Sequence, residues 1–154
     1  MPKKIQNGKL LGIAIKKAKR AQMILKDEAT ITTEKGVEGD YRGNPGNRQV
    51  TVVSKGSWDK ACKDLNQSLP WIARRANLLV DDIILKKSTG SFLKIGKLVL
   101  EITGETEPCH RMDEFFQGLQ EVLKPDWRGG VTCRVINSGY IRIDDTVIMN
   151  KVLD

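Results

Sequence analysis

The chain has 154 residues, of which 40% are hydrophobic and 29% charged, so it can bury a core without staples and wholesale disorder is excluded. No apolar run is long enough to span a membrane, no secretory h-region follows Met1-Pro2-Lys3-Lys4, and three scattered cysteines make no disulfide framework. The formal charge is +7, and the first 26 residues hold eight basic side chains and no acid.

Residues 9–33 read as short strands. Leu10, Leu11, Ile13 and Ile15 suit the first, and Thr30-Ile31-Thr32-Thr33 is β-branched. The basic run is then most simply a solvated strand face. It could attract nucleic acid, but residues 1–26 contain no aromatic side chain for base stacking. A turn-rich loop follows over residues 36–47, with four glycines and Pro45. Arg48-Gln49-Val50-Thr51-Val52-Val53 reads as a buried strand. Trp58, Ala61, Cys62 and Leu65 recur at helical spacing, so the next element is a helix.

Leu78-Leu79-Val80 and Ile83-Ile84-Leu85 predict one or two strands. Leu98, Leu100 and Ile102 alternate with Val99 and Glu101, the pattern of a half-buried strand. Met112, Phe115, Phe116, Leu119, Val122 and Leu123 form the apolar stripe of a second helix over about residues 110–123. Three strands close the chain, over residues 131–136, 140–143 and 146–149. The sum is a single α+β domain over residues 1–154, rich in β-structure and barrel-like or strongly bent, with two or more flanking helices.

Cys109 is the leading chemical candidate. It lies in Glu107-Pro108-Cys109-His110-Arg111, between a strand ending at Gly104 and the predicted helix. Backbone N–H groups at a helix start, and the nearby Arg111, favour a thiolate, the form that ligates metals and attacks electrophiles. Cys62 sits on the apolar stripe of the first helix. Cys133 shares a strand face with Val131 and Val135, so both read as packed thiols. A relay between Cys133 and Cys109 requires the fold to bring them together. His110 is the only histidine, and no Cys-x-x-Cys or His-x-x-x-His spacing occurs, so zinc is not expected. Arginines form the second constellation: Arg42 and Arg48 flank the glycine-rich loop, Arg74 and Arg75 precede Asn77, and Arg128 precedes Gly129-Gly130. Guanidinium forks beside flexible backbone suit a phosphorylated ligand.

Seven stretches in order resemble the MOSC family, named for the C-terminal domain of molybdenum cofactor sulfurase. They are Gly36-Val37-Glu38-Gly39-Asp40, Arg48 to Ser54, Arg74 to Val80, Leu93 to Gly96, Leu100 to Gly104 with Glu107-Pro108-Cys109, Arg128 to Val131 with Arg134-Val135, and Gly139 to Asp145. Any one of these stretches is weak, but seven in order are strong, and their order and spacing fit the family from about residue 9 to 150. The resemblance implies a β-barrel and a molybdenum cofactor site, with the family's cysteine at Cys109 as the metal-ligating thiolate. It implies cofactor contacts from Arg48, Arg75 and Arg128, a polar or structural role for Asn77, and a cleft mouth near Gly39 and Asp40.

The resemblance further implies a cytoplasmic enzyme that reduces N-hydroxylated small molecules with electrons from a separate protein. The alternative is a sulfur carrier that takes a persulfide onto Cys109 from a cysteine desulfurase; pyridoxal phosphate would belong to that partner, not to this chain. A non-catalytic basic module binding nucleic acid or a partner is a third reading. Many relatives carry His shortly after the Gly-Asp pair; here Tyr41-Arg42 stands there.

Overall fold

The computed structural model describes residues 5–152. Eleven strands and three α-helices follow one another: β1 (Gln6–Ile15), β2 (Ile24–Lys26), β3 (Glu28–Thr32), β4 (Gly36–Val37), β5 (Val50–Ser54), α1 (Lys55–Asp64), β6 (Leu78–Asp81), β7 (Phe92–Ile95), β8 (Leu98–Glu105), α2 (Met112–Phe115), α3 (Leu119–Leu123), β9 (Val131–Asn137), β10 (Gly139–Arg142) and β11 (Thr146–Asn150). Two short 3-10 turns, Trp71–Arg74 and Pro125–Trp127, join them.

Seven strands close into a barrel in the order β11-β7-β8-β9-β5-β6-β1, and β11 pairs back onto β1. The first half of β1 meets β11, and the rest meets β6 across a register shift between Leu10 and Gly12. β2 adds to the far end of β1, where Ile15 faces Ile24. β10, β3 and β4 make a second small sheet.

One barrel pair is parallel, β5 with β6. A parallel pair needs a crossover connection. Here that crossover carries α1 and the 3-10 turn at Trp71–Arg74. Ser54 starts α1 by accepting a hydrogen bond from the Ser57 N–H at 3.2 Å.

The barrel core is aliphatic. Leu98, Leu100 and Ile102 point inward from β8, while Val99, Glu101 and Thr103 are half-exposed, the alternation expected from sequence. A second cluster joins Trp58, Ala61 and Cys62 of α1 to Met112, Leu119 and Leu123.

Two expectations are corrected. The helix expected over residues 110–123 is two pieces. Phe116 is extended (φ −155°, ψ 125°) and Gly118 takes φ +96°, so α2 stops after one turn. The Asp113 carboxylate then accepts from the Gln120 N–H at 2.9 Å and restarts the chain as α3. Residues 83–85 are not a strand. Ile83 and Leu85 reach the barrel core from irregular chain, and Ile84 faces solvent. β7, only four residues long, was not anticipated as an element.

Candidate functional site

The end of β1, the loop after β4, β5, the segment before β6 and the segment after β8 meet at a cleft of about 430 Å3. Cys109, Arg48, Arg75, Asn77 and Asp40 all line it. Gly39 and Arg128 do not.

Asn77 joins three strands beneath the cleft. Its Oδ1 accepts from the Thr51 N–H at 3.0 Å and the Thr51 hydroxyl at 3.3 Å, while its Nδ2 donates to the Ala14 carbonyl at 3.1 Å. The side chain is buried, and these bonds fix β5 and the start of β6 against β1. Asp40 holds the glycine-rich loop to the same strand end. Its carboxylate accepts from the Lys16 N–H at 2.9 Å and from the Arg42 N–H at 3.3 Å. Gly39 shapes this turn from behind. Its φ is +87°, and a Cβ there would stand 3.1 Å from Ile15 Cδ1.

Arg74 and Arg75 diverge because Arg75 adopts a left-handed backbone, φ 64°. Arg74 turns inward and is buried. Its Nε donates to the Gly129 carbonyl at 2.6 Å, and its Nη2 reaches the Thr106 carbonyl at 3.5 Å. Burial, and then the nearby Arg48 charge, lower its guanidinium pKa to about 10, while negative charge on Cys109 opposes the shift. Arg74 is therefore still cationic at neutral pH. Arg75 sends Nη2 to the Ala21 carbonyl at 2.7 Å, pinning the loop after β1.

Arg48 keeps access to solvent, yet burial against the cleft wall, reinforced by Arg42, lowers its pKa; charge on Cys109 again opposes this. The Lys16 ammonium is lowered by burial, then by Arg75 and Arg42, and only Asp40 pulls the other way. Lys16, Arg42, Arg74 and Arg111 also line the cleft, and none of these cations, nor Arg48 or Arg75, forms an ion pair among the described residues. Like charges crowded this way favour an anion between them.

Cys109 is exposed, whereas Cys62 and Cys133 are buried. Its carbonyl accepts from the Met112 N–H at 3.0 Å, and Gln120 Nε2 donates to the preceding Pro108 carbonyl at 3.3 Å. The long helix expected to start here is a single turn. A helix that short adds little dipole, so the positive surroundings of Cys109 come from side chains, Arg48 and Arg74 first.

Cys133 lies fully buried in the barrel core, where desolvation pushes its thiol well up. That placement does not suit a sulfur relay. His110 is exposed and does not line the cleft.

Arg128 stands elsewhere, on a separate cleft with Ser54, Lys60 and Asp81. Its Nη1 donates to Asp64 Oδ2 at 2.6 Å and to the Val122 carbonyl at 2.9 Å, so its guanidinium ties α1 to α3. The sequence grouped it with the cleft because Gly129 follows it. Gly129 serves the cleft only indirectly, its carbonyl accepting from Arg74 Nε.

Arg74, Lys16, Arg42 and Arg111 were not assigned to the cofactor contacts from sequence. The Arg74-Arg75 pair carried a signal, but only the left-handed turn decides which arginine faces inward. Lys16 was hidden in the basic run.

Known structures share this architecture. YuaD from Bacillus subtilis superposes with TM-score 0.87 at 17% identity, over 99% of this chain and 100% of that one. YiiM from Escherichia coli gives TM-score 0.71 at 15% identity, covering 95% of this chain and 71% of its own. YiiM from Geobacillus stearothermophilus gives TM-score 0.71 at 11% identity, over 92% and 74% respectively. No curated protein matches the sequence. Residues 27–148 match the MOSC domain, from just after β2 to within β11, and the chain belongs to the MOSC domain family.

Proposed function

We propose that the cleft binds the molybdenum cofactor, with Cys109 ligating the metal, and that the protein reduces N-hydroxylated small molecules with electrons from a separate donor protein. The observation that carries this reading is the donor set. The one exposed thiol among the described residues opens into a cleft whose seven cations, Lys19 included, have no ion-pair partner there. A phosphate-bearing pterin with a thiophilic metal fits that combination.

The residues divide the work. Arg48, Arg75 and Arg42 offer exposed or half-exposed donors for the phosphate, with Arg74 behind them as a fixed positive charge. Asn77 and Asp40 keep the strand ends and the loop in register and are positioning residues. Bound cofactor would supply the two-electron chemistry. Converting N–OH to N–H releases water and consumes two electrons, from the donor protein, and two protons. Lys16 Nζ can hand a proton into the cleft, since burial and its cationic neighbours already weaken its hold.

Protein purified from a cofactor-producing host should reduce a hydroxylamino compound with a reduced viologen as electron source. The Cys109→Ser variant should not. Equal turnover by both would overturn metal ligation by Cys109.

The exposure of Cys109 also supports a second reading, sulfur transfer. The Cys109 thiolate would attack the outer sulfur of a cysteine desulfurase persulfide. One S–S bond forms on Cys109, the donor's breaks, and the donor cysteine leaves as thiolate. A persulfide adduct at Cys109 in protein lacking molybdenum, seen by intact mass after incubation with a desulfurase and cysteine, would favour this reading.

A further inference from the structure

Beside the cleft lies a recess of about 510 Å3 that the reading above does not use. Met23, Arg75 and Arg111 line both spaces and form their common border. Beyond that border the walls are the apolar Ile72, Ala73 and Phe115, with Arg20, Gln22 and Glu114 beside them. Phe115 is unusual here. The apolar period of residues 112–123 places it on a buried stripe, yet it is 50% exposed. The chain breaks from helix immediately after it, at extended Phe116, so Met112 and Leu119 enter the core while Phe115 stays outside. An aromatic ring left on the wall of a concavity, against its own sequence pattern, marks a binding surface.

The border suits a polar passage. The Arg75 fork is held by the Ala21 carbonyl, which fixes one flat guanidinium face between recess and cleft. Recess and cleft together have the dimensions of sites that take ring-containing ligands.

We infer that the recess binds the planar aromatic body of the substrate, while its reacting group passes between Arg75 and Arg111 into the cleft beside Cys109. The inference rests on the cleft being the reactive centre. Phe115 is then a specificity-determining residue: its ring packs on the substrate ring, and small aliphatic substrates gain nothing from it.

Two probes with the same reacting group isolate the ring: benzohydroxamate and acetohydroxamate. Their dissociation constants are measured by ligand-observed NMR on the full chain, as wild type, Phe115→Ala and Cys109→Ser. Benzohydroxamate should bind wild type at least about tenfold more tightly, the scale of burying one ring. Phe115→Ala should bring the two within about twofold by removing most of that burial. Phe115 is exposed, so this variant keeps the fold. Cys109→Ser should retain the ring preference, because the recess is separate from the thiol. Equal affinities in wild type, or a preference that Phe115→Ala leaves intact, would overturn the inference. A ring preference that depends on Phe115 in protein that never acquires molybdenum would uphold the recess and reject the cofactor reading alone.

Discussion

Arg74 carries a positive charge into the protein with carbonyls for company and no carboxylate. Removing it strands the Gly129 and Thr106 carbonyls. Arg74→Ala should lose roughly 2–3 kcal/mol in urea unfolding, while Arg48→Ala, at an exposed position, should stay within about 0.5 kcal/mol. Both should weaken binding of inorganic phosphate. Lys16 sets the pH dependence. Its pKa is lowered from 10.5 in the folded state, so the half-buried ammonium subtracts from stability at neutral pH, and that loss is recovered as pH climbs from the lowered value towards 10.5. A bound anion favours the charged form, so its affinity should fall as pH rises through the lowered value. Phosphate titrations across the alkaline range should show this fall in wild type and a flatter profile in Lys16→Arg. The three thiols make a simpler test. One should react rapidly with a disulfide reagent in native protein, and all three after unfolding, because Cys62 and Cys133 are buried. Cys109 was legible in sequence because its context is local: a strand end, a proline and a nearby arginine. Arg74 was not, because only a left-handed turn at its neighbour sends it inward.

At the scale of elements, the strands that bury one face were readable. β8 alternates because one side meets the barrel core and the other does not. Residues 83–85 are an unbroken apolar run in sequence whose burial alternates in the fold, yet they form no strand. Periodicity reports which side chains are buried, and pairing needs a neighbouring edge that these residues lack. The break between α2 and α3 was hidden for a related reason. A continuous apolar stripe says nothing of a capping aspartate seven residues upstream. Gly118 is the point where the break is enforced: its φ is +96°, and a Cβ would stand 3.0 Å from Leu65 Cδ2. Gly118→Ala should therefore cost roughly 1–2 kcal/mol in thermal or urea unfolding, more than the same change at an unstrained turn. Losing the Asp113 cap should cost about 1 kcal/mol, read the same way from Asp113→Ala.

For the whole molecule, neither barrel closure nor the parallel β5–β6 pair could be read from any one segment. Both depend on which distant strands become neighbours. The charge distribution shows the same limit. The basic run near the N-terminus reads locally as a solvated strand face. In the fold, Lys16 and Lys19 line the cleft that also holds Cys109, some ninety residues later in sequence. The excess charge of the chain is thus partly a property of the site. The most direct measurement is the molybdenum and pterin content of protein purified from a host that makes the cofactor, wild type beside Cys109→Ser. The account predicts near-stoichiometric molybdenum with pterin in wild type and loss of the metal in the variant. Wild-type protein free of both, from a host that loads other molybdenum proteins, would contradict it.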